Sequence, residues 1–528
     1  MSQYQDNIVL VSSVLSPAAK NKENPKILND VNGIESSKNS THHDSVVGRI
    51  RRKTLSLMVD EDGRTSWPMG TLIMLNAIVG AGILTLPYSV YHTGGLAVGI
   101  TILVLMGVFS YGSLYILGWL MATSQSARIT NMQGIMYNYA GAAAGMGTSA
   151  VIMCKYFMIC IAYLVAVRSQ IQAIICHNVT HPSDADSWYL DERFVIAMVF
   201  LIAILPLCLL PEIDHLKYVS TIASVCIFYL GALVIAAYAV PSLRAPGQST
   251  IDAGNSTVNI SSKCKNIDKL ANNTSVDDTP RIEQIFYGCP SFVIAFFFQP
   301  PAMIVYDSLK SRGLTAFSKA ITVTMVVTGA LYVTLAVFAI ATFGGDLLQS
   351  HILLNFNAGH GAVITGSVLY MIKLILEYPV CNFAAREGIL SLVKSIWKRP
   401  YRTGYRSGKP KPADARQKAE TDSNTKLYLW IRHAIWLTIT IVFTLGTLFV
   451  SIFVTNIMTV VQFAGVLAIL LITIVPGGSL AGKLVIEREM LAVKTMKYVA
   501  YWVVAIFYCV AGLFLACIGL YQSVQSVL

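Results

Sequence analysis

The residues best suited to do chemistry lie where long apolar runs are interrupted. The first interruption reads Asn76-Ala77-Ile78-Val79-Gly80-Ala81-Gly82-Ile83-Leu84-Thr85-Leu86-Pro87-Tyr88, with a carboxamide, two glycines and a proline close together. Glycine costs backbone entropy in a helix, and proline removes a hydrogen-bond donor. An unwound segment here would expose carbonyls that suit a cation. It would also expose amides that, with the dipole of the following half-helix, suit a carboxylate. The same small residues equally make a close helix-packing face, and this stretch alone does not choose between the two readings.

The second interruption, Ala295-Phe296-Phe297-Phe298-Gln299-Pro300-Pro301-Ala302-Met303-Ile304-Val305-Tyr306-Asp307, tips the balance, because two adjacent prolines break a helix and Gln299 puts a polar group at the break. Backbone groups freed inside a membrane cannot face hydrocarbon and must line a protein-enclosed cavity. Asn76, Val79, Gly80, Ala81 and Gly82 on one side, and Phe298, Gln299 and Pro300 on the other, are therefore the candidate binding residues. A third constellation is Lys373 and Glu377, four residues apart and so on one helix face. Ionisable residues within a membrane usually pair and face a cavity or bundle interior.

The elements that must hold these residues are transmembrane helices. Of 528 residues, 55% are hydrophobic and 13% charged, half the charge of an ordinary soluble domain. The apolar residues come in blocks of roughly 20, the length that crosses a hydrocarbon core. Eleven spans are expected, near 69–91, 95–121, 148–175, 193–210, 217–241, 285–306, 318–343, 361–393, 430–453, 457–475 and 497–521. The fold class is an all-α membrane protein. Interruptions in the first and sixth spans suit two five-helix repeats of opposite orientation, with a site between the breaks near the midplane.

Residues 1–66 are polar and read as a disordered cytosolic tail; 67–528 are expected to form the membrane domain, with an outward loop at 242–285 and a basic cytosolic loop at 394–429. With the amino terminus inside, 29 Lys and Arg fall on the cytosolic side and six outside, as the positive-inside rule demands. This asymmetry accounts for most of the +11 net charge without nucleic acid. Glycosylation sequons begin at Asn178, Asn255, Asn259, Asn272 and Asn273, all on the outward side of this topology. The short carboxyl tail then ends outside or in a lumen. Cys176, Cys264 and Cys289 approach that oxidising side; Cys264–Cys289 is the first choice for a disulfide and Cys264–Cys176 the second. Lys155 and Arg168 lie near the two ends of the third span, where snorkelling is expected, and Arg386 near the cytosolic end of the eighth suits an inner-gate ion pair or a head-group contact equally.

Asn76 to Pro87 followed by Thr93-Gly94-Gly95 resembles the first-helix signature of the amino acid/auxin permease family, nearest its branch of sodium-coupled neutral amino acid transporters. Phe297 to Leu309 is similar to that branch's sixth helix, and Tyr378-Pro379 with Arg386 to its eighth. The similarity spans roughly 66–525. It implies eleven helices, a leucine-transporter-like fold and alternating access. It also implies sodium contact at Asn76 and substrate-carboxylate binding at Gly80-Ala81-Gly82. One departure stands out: where the family's eighth helix has a sodium-ligating Thr two residues before the Pro, this chain has Glu377. Three readings of Asn76, Lys373 and Glu377 as an ion-coupling group remain open. They are a structural ion pair, Na+ held with help from the Glu377 carboxylate, and H+ coupling with Lys373 supplying the fixed positive charge.

The substrate class expected from the resemblance is small neutral amino acids, carried by secondary active transport coupled to H+ or Na+. The partners are that substrate and the lipid bilayer of a plasma membrane or of an endosome or lysosome, and the chain is expected to act as a monomer. An amino-acid sensor signalling through the cytosolic tail is the alternative. No catalytic constellation or metal-binding Cys/His spacing points to an enzyme, and no cofactor is implied beyond a coupling ion.

Overall fold

A computed structural model describes residues 66–80, 82–124, 131–178, 191–209, 217–245, 281–309, 313–345, 347–397, 415–454, 456–486 and 495–525. Expectations for Ala81, the tail 1–65, Cys264 and the sequons at Asn255, Asn259, Asn272 and Asn273 lie outside the described residues, as does the Asn178 side chain.

The helices run in chain order α1 Trp67–Ile78, α2 Gly82–His92, α3 Leu96–Ala122, α4 Met132–Ala140, α5 Ala142–Asn178, α6 Glu192–Val199 and α7 Leu205–Cys208. They continue with α8 Lys217–Ala239, α9 Arg281–Tyr287, α10 Cys289–Ala295, α11 Gln299–Ser308, α12 Leu314–Phe343, α13 Gly361–Trp397, α14 Ala415–Phe453, α15 Ile457–Ile486 and α16 Thr495–Gln525. Among the described residues there is no strand, only an isolated antiparallel bridge between Arg244 and Phe356. The regular structure of the described residues is all-helical. Among the described residues, eight helical stretches are long and apolar enough to cross a membrane, or nine if the bent pair α1 and α2 is one span. Two shorter apolar helices, Arg193–Cys208 and Phe228–Ala239, fall within the expected fourth and fifth spans.

Long apolar stretches become helices here because only a helix satisfies its own backbone groups in hydrocarbon. Their interruptions follow residue chemistry. Pro206 removes the donor that a carbonyl one turn back needs, and a π-helical turn, Phe200–Ile204, precedes it. The two main breaks are packed into the middle of the bundle. α1 lies against α11 and α12, α2 against α10 and α12, and α10 against α15. Gly82 explains one close approach, since a Cβ there would sit 3.3 Å from Ala295 Cα. α5 and α13 pack along one another and bring their polar residues to the first break.

Three expectations need correction. Lys155 is buried, with Nζ 4.2 Å from the Tyr156 ring centre and 4.0 Å from that of Phe297, so it does not snorkel to an interface. Arg168 is also buried and donates Nη1 to Ser451 O and Nη2 to Val454 O, both at 2.9 Å. These are carbonyls at the carboxyl end of α14, left without partners by the helix itself. Arg386 stacks between the Phe383 and Trp436 rings, 4.7 Å from each, and its Nη1 donates to Thr440 Oγ1 at 3.4 Å. No ion pair at Arg386 is present among the described residues. Cys289 is buried near the start of α10 as a free thiol.

Candidate substrate and ion site

The first break begins where α1 stops at Ile78 and Val79 turns extended, with φ −90° and ψ 95°. The chain resumes as α2 at Gly82, and the two halves bend by 67°. Such a turn leaves carbonyls without helical donors, and helix α13 supplies them. Lys373 Nζ donates to Val79 O at 2.6 Å, and the Tyr370 hydroxyl to Gly80 O at 3.1 Å. Lys373 also forms a short hydrogen-bonded ion pair with Glu377 Oε2. Tyr370, Lys373 and Glu377 are spaced three and four residues apart, so one helix face carries all three. Lys373 is 2% exposed, so its carboxylate and carbonyl partners must replace the water it gave up. From α5, the Tyr163 hydroxyl stands 3.1 Å from where a Cβ on Gly80 would be.

The second break is the stretch Phe296–Phe298 between α10 and α11. Pro300 and Pro301 open α11 in the first turn, where a missing N–H is tolerated. Ser110 of α3 bridges the break: its hydroxyl donates to Phe296 O at 2.9 Å and accepts from Gln299 Nε2 at 3.1 Å. The Tyr332 hydroxyl of α12 reaches both breaks, 3.0 Å from Ala295 O and 3.4 Å from Ile78 O.

Val79, Gly80 and Gly82 are thus brought together with Lys373 and Glu377, while Phe298, Gln299 and Pro300 form the neighbouring break. Asn76 sits within the last turn of α1 and has no hydrogen bond to either member of the ion pair. Its Oδ1 is buried and unpartnered, as is Gln299 Oε1. Buried acceptors without donors are uncommon and ask for a ligand or water. Two of the residues singled out from sequence therefore present orphaned oxygens beside helix breaks.

Four contributors escaped the sequence reading of the site: Ser110, Tyr163, Tyr332 and Tyr370. A usable signal existed, since a tyrosine inside an apolar span needs a partner for its hydroxyl. Spacing alone could not say which backbone it would meet.

The oxygens at the first break also test the fit of a sodium ion. A hard cation would take the Val79 carbonyl and the Glu377 carboxylate, and the ammonium of Lys373 already bonds to both. That position does not fit an added Na+.

The model of the family described as "Transmembrane amino acid transporter protein" matches residues 63–525. The chain belongs to that family. It is similar to human "Sodium-coupled neutral amino acid transporter 7", at 25% identity over 442 residues, covering 84% of this chain and 83% of the relative. The Xenopus tropicalis "Putative sodium-coupled neutral amino acid transporter 8" is 24% identical over 441 residues, 82% of this chain and 88% of that one. The bovine transporter 7 aligns over 339 residues at 24% identity, covering 64% of this chain and 66% of its own length. Membership accounts for the apolar helices and makes an amino acid the substrate and a membrane the setting. The transporter family thus has, in this chain, an ammonium on the carbonyl of its first break.

Proposed function

We propose that this chain is a secondary active transporter of small neutral amino acids working by alternating access, with H+ as the coupling ion at Glu377. The reading includes eleven spans arranged as two inverted five-helix repeats, an inward amino terminus and an outward, glycosylated 242–285 loop. The observation that carries it is the Lys373 contact with Val79 O and Glu377. A fixed ammonium beside a titratable carboxylate leaves the carboxylate as the group that can change charge in each cycle. While Glu377 is ionised, it holds Lys373 on the first break. Protonation removes the charge that holds the ammonium there and frees the break to move with bound substrate. The substrate's carboxylate meets the amides that begin α2, aided by the helix dipole, while Asn76 Oδ1 and Gln299 Oε1 accept from its ammonium.

Uptake into proteoliposomes, with sodium and proton gradients imposed separately, tests this. An inward proton gradient is expected to drive saturable uptake, replacement of Na+ by choline to leave it unchanged, and Glu377→Gln to flatten its pH dependence. Strong sodium dependence with no response to pH would reject the proton reading. Absence of any flux, with retained binding, would favour a sensor.

A further inference from the structure

The two helix breaks are each met by a buried lysine, but only one lysine has an acid. Lys155 is 5% exposed, its Nζ lies over the π-faces of Tyr156 and Phe297, and the Cys381 and Cys160 thiols are within its electrostatic reach. Among the described residues it has no hydrogen bond or ion pair, and the one carboxylate within its electrostatic reach, Glu377, is already bonded to Lys373. Aromatic faces attract a cation but accept none of its three hydrogen bonds. Phe297 lies within the second break, immediately before Phe298 and the start of α11. Prolines at 300 and 301 have removed two of the amides with which that helix start would otherwise greet an anion. The positive charge at this break is thus supplied by a side chain. Beside the two breaks stand two ammonium groups and one carboxylate, a surplus of one positive charge. A zwitterionic neutral substrate brings no net charge and leaves that surplus in place.

We propose that Lys155 is a specificity-determining residue that admits amino acids with an acidic side chain, its ammonium taking the side-chain carboxylate. This rests on the amino-acid transport reading above and extends its substrate range from neutral to anionic side chains. The α-carboxylate goes to the first break, the side-chain carboxylate exchanges places with an aromatic face at Lys155, and, while Glu377 is still ionised, the site becomes electrically balanced. An ammonium held on rings rather than on a carboxylate is free to make that exchange without breaking a protein ion pair.

The test compares uptake of radiolabelled glutamate and glutamine, two side chains of one shape that differ in charge, by reconstituted wild type, Lys155→Met and Lys155→Arg. Wild type is expected to carry both. Lys155→Met is expected to lower the glutamate-to-glutamine ratio of kcat/KM by at least about tenfold, the size expected when one partner of a desolvated charge pair is removed. Lys155→Arg is expected to keep the ratio nearer wild type. A binding readout guards against misfolding: glutamate should raise the unfolding midpoint of purified wild type and not that of Lys155→Met. Saturable glutamine uptake without glutamate uptake in wild type overturns this inference alone, as does a folded Lys155→Met protein with the wild-type ratio. No uptake of any amino acid by wild type would strike down the transport reading, and this inference with it.

Discussion

The two helix breaks serve the same architectural purpose by opposite chemistry. At the first, freed carbonyls are answered by an ion pair: Lys373 holds Val79 O and Glu377 together, and Tyr370 covers Gly80 O. At the second, neutral groups do the corresponding work. Ser110 bridges Phe296 O and Gln299, and the nearby cation, Lys155, rests on rings. A buried ion pair loses heavily if one member is removed, because the other is left charged without water. A neutral hydrogen bond is worth much less, and a cation on π-faces leaves no charge behind. On the readings proposed above, the first break responds to protonation and the second to charge on the substrate.

The largest effect is expected at Lys373. Lys373→Met strands the Glu377 carboxylate and the Val79 carbonyl, at a cost of about 3–5 kcal/mol. Transport by this variant should fall by two orders of magnitude or more, and thermal unfolding should shift down, by more than for Lys155→Met. Comparable losses at both lysines would break the contrast. Lys373→Ala sharpens it further. With the ammonium gone and space left behind, Val79 O and Glu377 offer two oxygens to a hard cation, so Na+ should stimulate residual uptake in this variant and not in wild type. Uptake by Lys373→Ala measured in sodium and in choline decides the point.

Much of this contrast was legible in the sequence. Asn-x3-Gly-x-Gly and Pro-Pro announced two breaks because glycine and proline act locally, through backbone entropy and a missing donor. The Lys373–Glu377 pair was legible because helical spacing fixes which side chains share a face. What could not be read was contact across the bundle. That Lys373 meets Val79 O, or that Lys155 turns inward under Phe297, depends on how α5, α11 and α13 pack. Position near a span's end made snorkelling the default for Lys155 and Arg168, yet one found rings and the other the end of α14. A long basic side chain goes to whichever acceptor the packing brings within reach, and sequence does not record that distance.

A smaller effect is expected next to the first break, where α2 carries a titratable cover. The turn Ile352–Asn355 packs on α2 and α5, and the adjoining His351 is buried with Nδ1 3.3 Å from Gln170 Nε2. Burial pushes the His351 pKa down from its ordinary 6.5 to about 4, against a smaller upward pull from its own backbone hydrogen bond. The folded state therefore favours the neutral ring, while the unfolded chain protonates near 6.5. The contribution is fully present above about pH 6.5 and is lost as pH falls towards 4, reaching on the order of 3 kcal/mol at most. The unfolding midpoint of wild type should drop between pH 7 and pH 4.5 by more than that of His351→Gln, which cannot titrate. Parallel declines in the two proteins would show that another group carries the acid sensitivity.

The smallest effect separates the two breaks at the level of single hydroxyls. Tyr370→Phe removes one donor from Gly80 O, and Ser110→Ala removes both the donor to Phe296 O and the acceptor of Gln299 Nε2. A neutral hydrogen bond contributes about 1 kcal/mol net, and a buried group left without its partner somewhat more. Counting bonds alone, Ser110→Ala should be the more costly of the two for stability. Transport should rank them the other way if the first break is the one that moves. Loss of the Tyr370 hydroxyl from Gly80 O changes the carbonyl environment at the break that Lys373, in the proposed cycle, leaves and regains. The comparison therefore needs both readouts on both proteins: unfolding midpoints, where Ser110→Ala should fall further, and kcat for uptake, where Tyr370→Phe should lose several-fold. The same ranking in both measurements would mean that the two breaks are equally static supports, and that the ion pair at the first is only a brace.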